Sequence, residues 1–148
     1  WIQHLLEAAP AAISFHGRTL RQGYRGEANW AMIVKAVEIA TGSGTFVLGN
    51  GDLKSMDEVV SRVRETGVDG VLIGRAAVGN PWVFHRKEIA RAWLRHGDTN
   101  DANAFAEIVS PKQINGQERF YVALQHARLY QAMCGPPFFK GMRKQLGS

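Results

Sequence analysis

Three short apolar segments, separated by stretches of helical character, constrain the fold of this chain more than any other feature. The segments are AAISFHGRT (11–19), TFVLGNGD (45–52) and GVLIGR (70–75). They lack the alternation of polar and apolar residues that a sheet with one solvated face requires. Such runs are typical of parallel strands covered on both faces. The order strand, helix, strand, helix, strand, helix therefore predicts an α/β fold.

The stretches between these segments carry helix signals. Residues 29–42 place apolar side chains on one stripe at helical spacing and end at a glycine. Residues 55–67 do the same, and they open with Ser55 and Glu58 at the spacing of a capping box. Further helices are expected over residues 82–97 and in the region that ends near Gly135.

The strand spacing predicts part of a larger barrel. The strands start roughly 25 to 35 residues apart, the length of one βα unit. Eight such units usually take about 250 residues, so this chain of 148 residues holds about three parallel βα units of a partial (β/α)8 TIM barrel, followed by an all-helical segment. We expect residues 1–97 to belong to the barrel and residues 103–148 to form a separate basic helical domain.

Composition and the chain ends restrict the class of protein. No apolar run approaches the roughly 20 residues that span a bilayer, and no signal peptide is recognisable, so no membrane partner is expected. The single cysteine, Cys134, fits a reducing compartment and a cytoplasmic location, and its place on a helix predicts a small buried side chain. Because the chain begins on Trp1, we expect it to be a piece of a longer protein.

Positive charge is concentrated in the second half of the chain. The net charge is +5, and residues 81–148 contain ten Lys or Arg against five Asp or Glu. A solvated surface and a surface for a polyanionic partner both fit this excess. From Phe120 onward every charged side chain is basic: Arg128, Lys140, Arg143 and Lys144.

Polar and glycine residues follow all three predicted strands. Ligands of parallel α/β proteins bind at the carboxyl ends of the strands, where glycine lets backbone amides approach a phosphate. Tight packing is the alternative for each glycine turn, and pairing with Asp52 is the alternative for Arg75. The predicted ligand residues are His16 after the first strand, Asn50, Gly51 and Asp52 after the second, and Gly74 and Arg75 after the third.

The loop after the first strand is rich in arginine. Arg18, Arg21 and Arg25 follow His16 within ten residues. These side chains could clamp phosphate groups or lie in solvent, and the sequence leaves both roles open.

The ordered motifs resemble those of a known family, the tRNA-dihydrouridine synthases. The resemblance is dense over about residues 10–85 and thinner in the helical region. It is carried by HGRTLRQGYRGEANW (16–30), VLGNGDLKSMDEV (47–59) and TGVDGVLIGRAAVGNPWVF (66–84), and more weakly by ALQHARLY (123–130) and FFKGMRKQL (138–146).

The resemblance implies the C-terminal part of a flavin-binding TIM barrel and the start of a helical tRNA-binding domain. It implies that NADPH reduces FMN, which passes hydride to a uridine of tRNA that has left its stack. The implied FMN contacts are His16, Asn50, Gly51, Asp52, Gly74 and Arg75, the last two at the phosphate. The implied RNA contacts are Arg18, Arg128, Lys140, Arg143 and Lys144.

The family's catalytic cysteine and a flavin-facing lysine belong to an earlier barrel half that this chain lacks. We therefore assign no catalytic residue and no metal site, and expect the chain alone to be inactive. Exposed strand edges predict self-association or pairing with the missing half. Two alternatives are a non-catalytic module that binds RNA or protein, and a fragment of another FMN-binding barrel such as a dihydroorotate-dehydrogenase-like enzyme.

Overall fold

The computed structural model describes residues 1–96, 102–110 and 112–135, in which helices follow each of three strands. A 3₁₀ turn follows the third strand at Arg75–Ala77, and another covers Pro81–Phe84. In chain order the elements are α1 (Ile2–Glu7), β1 (Ala12–His16), α2 (Trp30–Ala40), β2 (Phe46–Asn50), α3 (Met56–Thr66), β3 (Gly70–Leu72), α4 (Lys87–His96), α5 (Ala102–Val109) and α6 (Gly116–Cys134).

The three strands form one parallel sheet in the order β1-β2-β3. This confirms the predicted α/β class and the parallel sheet. The register pairs His16 with Asn50, and Asn50 with Leu72. The last residues of all three strands therefore lie side by side at one edge. Closure of this sheet into a barrel stays a prediction.

One face of the sheet packs on helices and carries the core. Val47 and Gly49 of β2 are buried beneath Trp30 of α2 and Val60 of α3. The opposite face, which we expected to be covered, is open in this chain, since Phe46 is 60% exposed. An open second face agrees with a sheet that is part of a larger assembly. Self-association through it stays a prediction.

Local signals explain how α2 and α3 begin and end. Asn29 caps α2, because its side-chain oxygen accepts a hydrogen bond from the N–H of Met32 at 3.3 Å. α3 ends at Gly67, whose φ of 71° lies in the left-handed region that favours glycine.

The structure corrects one predicted capping interaction and one predicted helix start. Ser55 precedes α3, but its side chain makes no capping hydrogen bond. Glu58 accepts a hydrogen bond from the backbone N–H of Lys54 at 2.6 Å instead, so its carboxylate fixes the loop before the helix. The helix predicted after the third strand begins at Lys87, because the 3₁₀ turn Pro81–Phe84 precedes it.

The helices after residue 100 differ in how they are packed. α5 contacts α3 and α4, and its Ile108 is 2% exposed and belongs to the same hydrophobic cluster as Val60. α6 buries none of its residues. The predicted domain division between residues 97 and 103 stays a prediction, with α5 packed on the first unit.

Across the described residues, no helix combines the length and apolar character that crossing a membrane requires.

Cys134 corrects another expectation. Its thiol, predicted to be buried, is free and exposed at the last residue of α6. The cause is the exposure of α6 as a whole, because the helix packs no face tightly enough to bury a side chain.

The close contact between Gly49 and Trp30 gives a test of the core. A Cβ at position 49 would lie 2.6 Å from Cζ3 of Trp30, so Gly49→Ala must displace the ring. We expect a loss of about 1–3 kcal/mol in the free energy of unfolding, the usual cost of overpacking, measured by urea unfolding followed by circular dichroism. The control is Gly116→Ala, where an added Cβ meets no atom within 4 Å. Equal stability of the two variants would contradict this packing.

Candidate functional site

A cleft of about 880 Å³ lies at the carboxyl ends of the three strands. Its walls come from the loops that follow β1, β2 and β3, which the register of the sheet brings to one edge, and from one side of α3. Every residue that the sequence predicted to bind the cofactor lines it: His16, Asn50, Gly51, Asp52, Gly74 and Arg75.

Hydrogen bonds connect the residues at the ends of the strands, which line the cleft. His16 Nδ1 lies 3.3 Å from the backbone oxygen of Asn50. The side-chain amide of Asn50 donates to the backbone oxygen of Leu72 at 3.2 Å. The backbone N–H of Gly17 also donates to the oxygen of Asn50 at 2.8 Å. These bonds tie the ends of the strands together and fix the two polar side chains beside each other.

The carboxylate of Asp52 accepts four hydrogen bonds in the cleft. Its Oδ1 accepts from Arg18 Nε at 3.2 Å and from an Arg75 terminal nitrogen at 2.6 Å. Its Oδ2 accepts from an Arg18 terminal nitrogen at 2.6 Å and from the N–H of Ala28 at 2.7 Å. The carboxylate is therefore bonded within the protein at both oxygens, and it supports the cleft without a free oxygen for a ligand.

These contacts favour the ionised form of Asp52. The hydrogen bond from Arg18 lowers the pKa of the Asp52 carboxyl most. Partial burial opposes this by raising the pKa, while the N–H of Ala28 and the charges of Arg18 and Arg75 lower it further, so the net shift is downward.

Arg18 has a different environment from the one expected of an RNA contact. Its side chain is 5% exposed. A guanidinium has five N–H donors, and those of Arg18 donate to both oxygens of Asp52 and to the backbone oxygens of Gly23, Arg25 and Gly26. In this conformation no donor is left for a phosphate, so the geometry does not support the predicted RNA contact of Arg18.

The glycines at the strand ends serve different purposes. A Cβ at Gly51 would lie 2.5 Å from the Cβ of Ala28, and the φ of Gly51 is 145°, so packing and backbone shape both require this glycine. A Cβ at Gly74 would meet nothing within 4 Å. The turn after β2 therefore follows the packing alternative, whereas the turn after β3 leaves open space beside the backbone.

Tyr24 belongs to the site, although our sequence analysis did not identify it. Its ring lies beneath the guanidinium of Arg75, with 4.6 Å between the Arg75 Cζ and the ring centroid. Both residues line the cleft. The available signal was an aromatic residue in an arginine-rich loop bounded by glycines, a pattern too common to select one residue.

The predicted RNA contacts of the helical region are only partly within the described residues. Arg128 lies exposed on α6. Lys140, Arg143 and Lys144 lie outside the described residues. Among the residues that the structure describes, no three His, Cys, Asp or Glu side chains are grouped so that they could hold a metal ion.

The downward pKa shift of Asp52 predicts a pH dependence of stability. An acid whose pKa is lower in the folded state stabilises the fold above its unfolded pKa of about 3.9, and this stabilisation is lost as pH falls through the folded pKa. Asp52→Asn should therefore unfold more easily than the unaltered chain at pH 7, and the gap should close in acid. The measurement is urea unfolding at several pH values.

The control for this titration is Glu88→Gln, which removes an exposed carboxylate 3.9 Å from Arg91. Exposed ion pairs contribute little, so this variant should follow the unaltered chain throughout. A gap for Asp52→Asn that stays constant between pH 7 and strong acid would contradict the proposed bonding of the carboxylate.

Comparison with known proteins identifies the family of this chain. The family described as dihydrouridine synthase (Dus) matches residues 1–133. A probable tRNA-dihydrouridine synthase of Aquifex aeolicus is 39% identical over 83 residues, which are 56% of this chain and 25% of that protein. Probable tRNA-dihydrouridine synthase 1 of Synechocystis is 30% identical over 136 residues, 86% of this chain and 37% of the relative.

A third relative, tRNA-dihydrouridine synthase B of Pseudomonas syringae, is 42% identical over 105 residues, which cover 69% of this chain and 28% of that protein. The chain thus spans 25% to 37% of the length of these three relatives. The family match decides against the dihydroorotate-dehydrogenase-like alternative. Because the family matches residues 1–133, which include β1, β2, β3 and the residues that line the cleft, this chain belongs to the dihydrouridine synthase family.

Proposed function

We propose that this chain is the C-terminal portion of an FMN-dependent tRNA-dihydrouridine synthase. The whole enzyme would reduce uridine to 5,6-dihydrouridine in tRNA in the cytoplasm, with hydride derived from NADPH. The single observation that carries the proposal is the cleft in which the ends of three neighbouring parallel strands bring His16, Asn50 and Arg75 together.

The residues present fit the phosphate end of a flavin nucleotide. Gly74 leaves space beside its backbone, so an anion could approach the amides of the turn. Arg75 is 59% exposed and supplies positive charge at the same place. His16 and Asn50 offer hydrogen-bonding groups at the ends of β1 and β2. When bound, FMN would supply the hydride-transfer chemistry, which no side chain of this chain can provide.

Asp52 and Gly51 have a supporting role in this proposal. The oxygens of Asp52 are bonded to Arg18, Arg75 and Ala28. Gly51 is fixed by packing on Ala28, and its backbone oxygen accepts a hydrogen bond from Trp30 Nε1 at 3.1 Å. These two residues would shape the loop that faces the flavin.

The proposal places RNA on the helical region. A stacked uracil cannot present its ring to a flavin, so the target nucleotide has to leave its stack and enter the cleft. Basic side chains such as Arg128 on α6 would hold the surrounding phosphates.

The chain alone would be inactive. It has one cysteine, Cys134, exposed at the end of α6. The catalytic cysteine implied by the family resemblance belongs to the barrel half that this chain does not include. A non-catalytic RNA-binding role for the isolated chain remains the alternative, and tRNA binding without flavin binding would favour it.

Flavin titration tests the phosphate-binding role of Arg75. Arg75→Ala should weaken FMN binding by about tenfold, the effect of losing one charge-assisted hydrogen bond. Riboflavin, which lacks the phosphate, should bind both proteins equally. Binding is measured by quenching of flavin fluorescence, and Arg91→Ala on the exposed face of α4 is the matched control. Equal affinity of FMN for the unaltered chain and Arg75→Ala would refute this phosphate position.

Salt-dependent tRNA binding tests the role of α6. The affinity should fall as salt rises, and Arg128→Ala should reduce the slope of log K against log salt by about one, the value for one lost phosphate contact. The measurement is fluorescence anisotropy of labelled tRNA. Lys35→Ala, which removes an exposed positive charge from α2, should leave the slope unchanged. An identical slope for Arg128→Ala would place RNA elsewhere.

A further inference from the structure

The charges of the cleft do not cancel around Asp52. One carboxylate is shared by two guanidinium groups, those of Arg18 and Arg75. The group of Arg18, Asp52 and Arg75 therefore carries two positive charges and one negative charge. The other charged residues that line the cleft are Glu27, Lys54, Asp57, Glu58 and the pair Arg62–Glu65, whose charged groups lie 3.0 Å apart. Among the described residues, none of them forms an ion pair with Asp52, Arg18 or Arg75, so the excess is local to these three groups.

The two arginines share Asp52 unequally. Arg18 is buried and bonds to both carboxylate oxygens. Arg75 is exposed, stacks on Tyr24, and within the described residues makes one hydrogen bond, to Asp52 Oδ1. Since a guanidinium has five N–H donors, Arg75 keeps donors that a ligand can use, whereas Arg18 does not.

We propose that Arg18 is a positioning residue that neutralises Asp52 from the buried side and so leaves the charge of Arg75 available for an anionic group. The inference rests on the proposed function, because the anion would be the FMN phosphate. Without Arg18, Asp52 and Arg75 would form a neutral pair. The carboxylate would then hold Arg75 back and repel a phosphate placed beside it.

A purely structural role of Arg18 makes a different prediction. Arg18 also donates to the backbone oxygens of Gly23, Arg25 and Gly26, and it thereby holds the loop after β1. If holding the loop were its whole contribution, removal of the Asp52 charge could not restore what the loss of Arg18 destroys. If neutralisation is the contribution, removal of both charges frees Arg75 again.

The experiment compares Arg18→Gln with the double variant Arg18→Gln/Asp52→Asn. FMN binding is measured by fluorescence quenching, with riboflavin as the probe that lacks phosphate. We expect Arg18→Gln to weaken FMN binding by about tenfold and the double variant to bind within about threefold of the unaltered chain. Riboflavin binding should stay the same in all three. Circular dichroism checks that each variant is folded.

A second variant keeps the test independent of the folding of Arg18→Gln. Asp52→Asn alone retains Arg18 and removes the competitor for Arg75, so it should bind FMN more tightly than the unaltered chain. Failure of the double variant to recover FMN affinity, or weaker FMN binding by Asp52→Asn, would overturn the inference and leave the proposed function standing. Equal affinity of the unaltered chain for FMN and riboflavin would overturn both.

Discussion

The carboxylate of Asp52 joins the three loops that form the cleft. It lies in the loop after β2, accepts from Arg18 and Ala28 in the loop after β1, and accepts from Arg75 after β3. Parallel pairing brings the three strand ends side by side, but pairing alone does not fix the loops beyond them. One ionised side chain supplies the bonds between them. The three loops are therefore joined through the side chain of a single residue.

The sequence was informative where a repeating constraint acts on many residues together. Continuous apolar runs that end in glycine predicted three parallel strands, and the structure confirms them. Parallel pairing then forces the residues after each strand toward one edge, so the grouping of His16, Asn50 and Arg75 followed from topology. Helix ends such as Gly67 were predictable for a similar reason, because few residues adopt a left-handed conformation at low cost.

Individual side-chain contacts were harder to predict, since they depend on groups distant in the chain. Arg18 bonds to Asp52, which lies 34 residues away, and to three loop carbonyls. No local sequence pattern distinguishes an arginine bonded in this way from one that points into solvent. Ser55 had the right spacing from Glu58 to form a capping box, but Glu58 accepts a hydrogen bond from the backbone N–H of Lys54 instead. Burial of Cys134 was inferred from its residue type and its place on a helix, whereas its exposure depends on what packs against α6.

The exposed thiol at the end of α6 affects how the chain behaves in oxidising solution. Cys134 is the sole cysteine, so the chain cannot form an internal disulfide, and a disulfide between two copies can form only at this position. Air oxidation of two such thiols to a disulfide would therefore produce a species of twice the mass without requiring an interface between folded surfaces. The same thiol offers a unique attachment point for a maleimide dye or a nitroxide, remote in sequence from the strand-end loops.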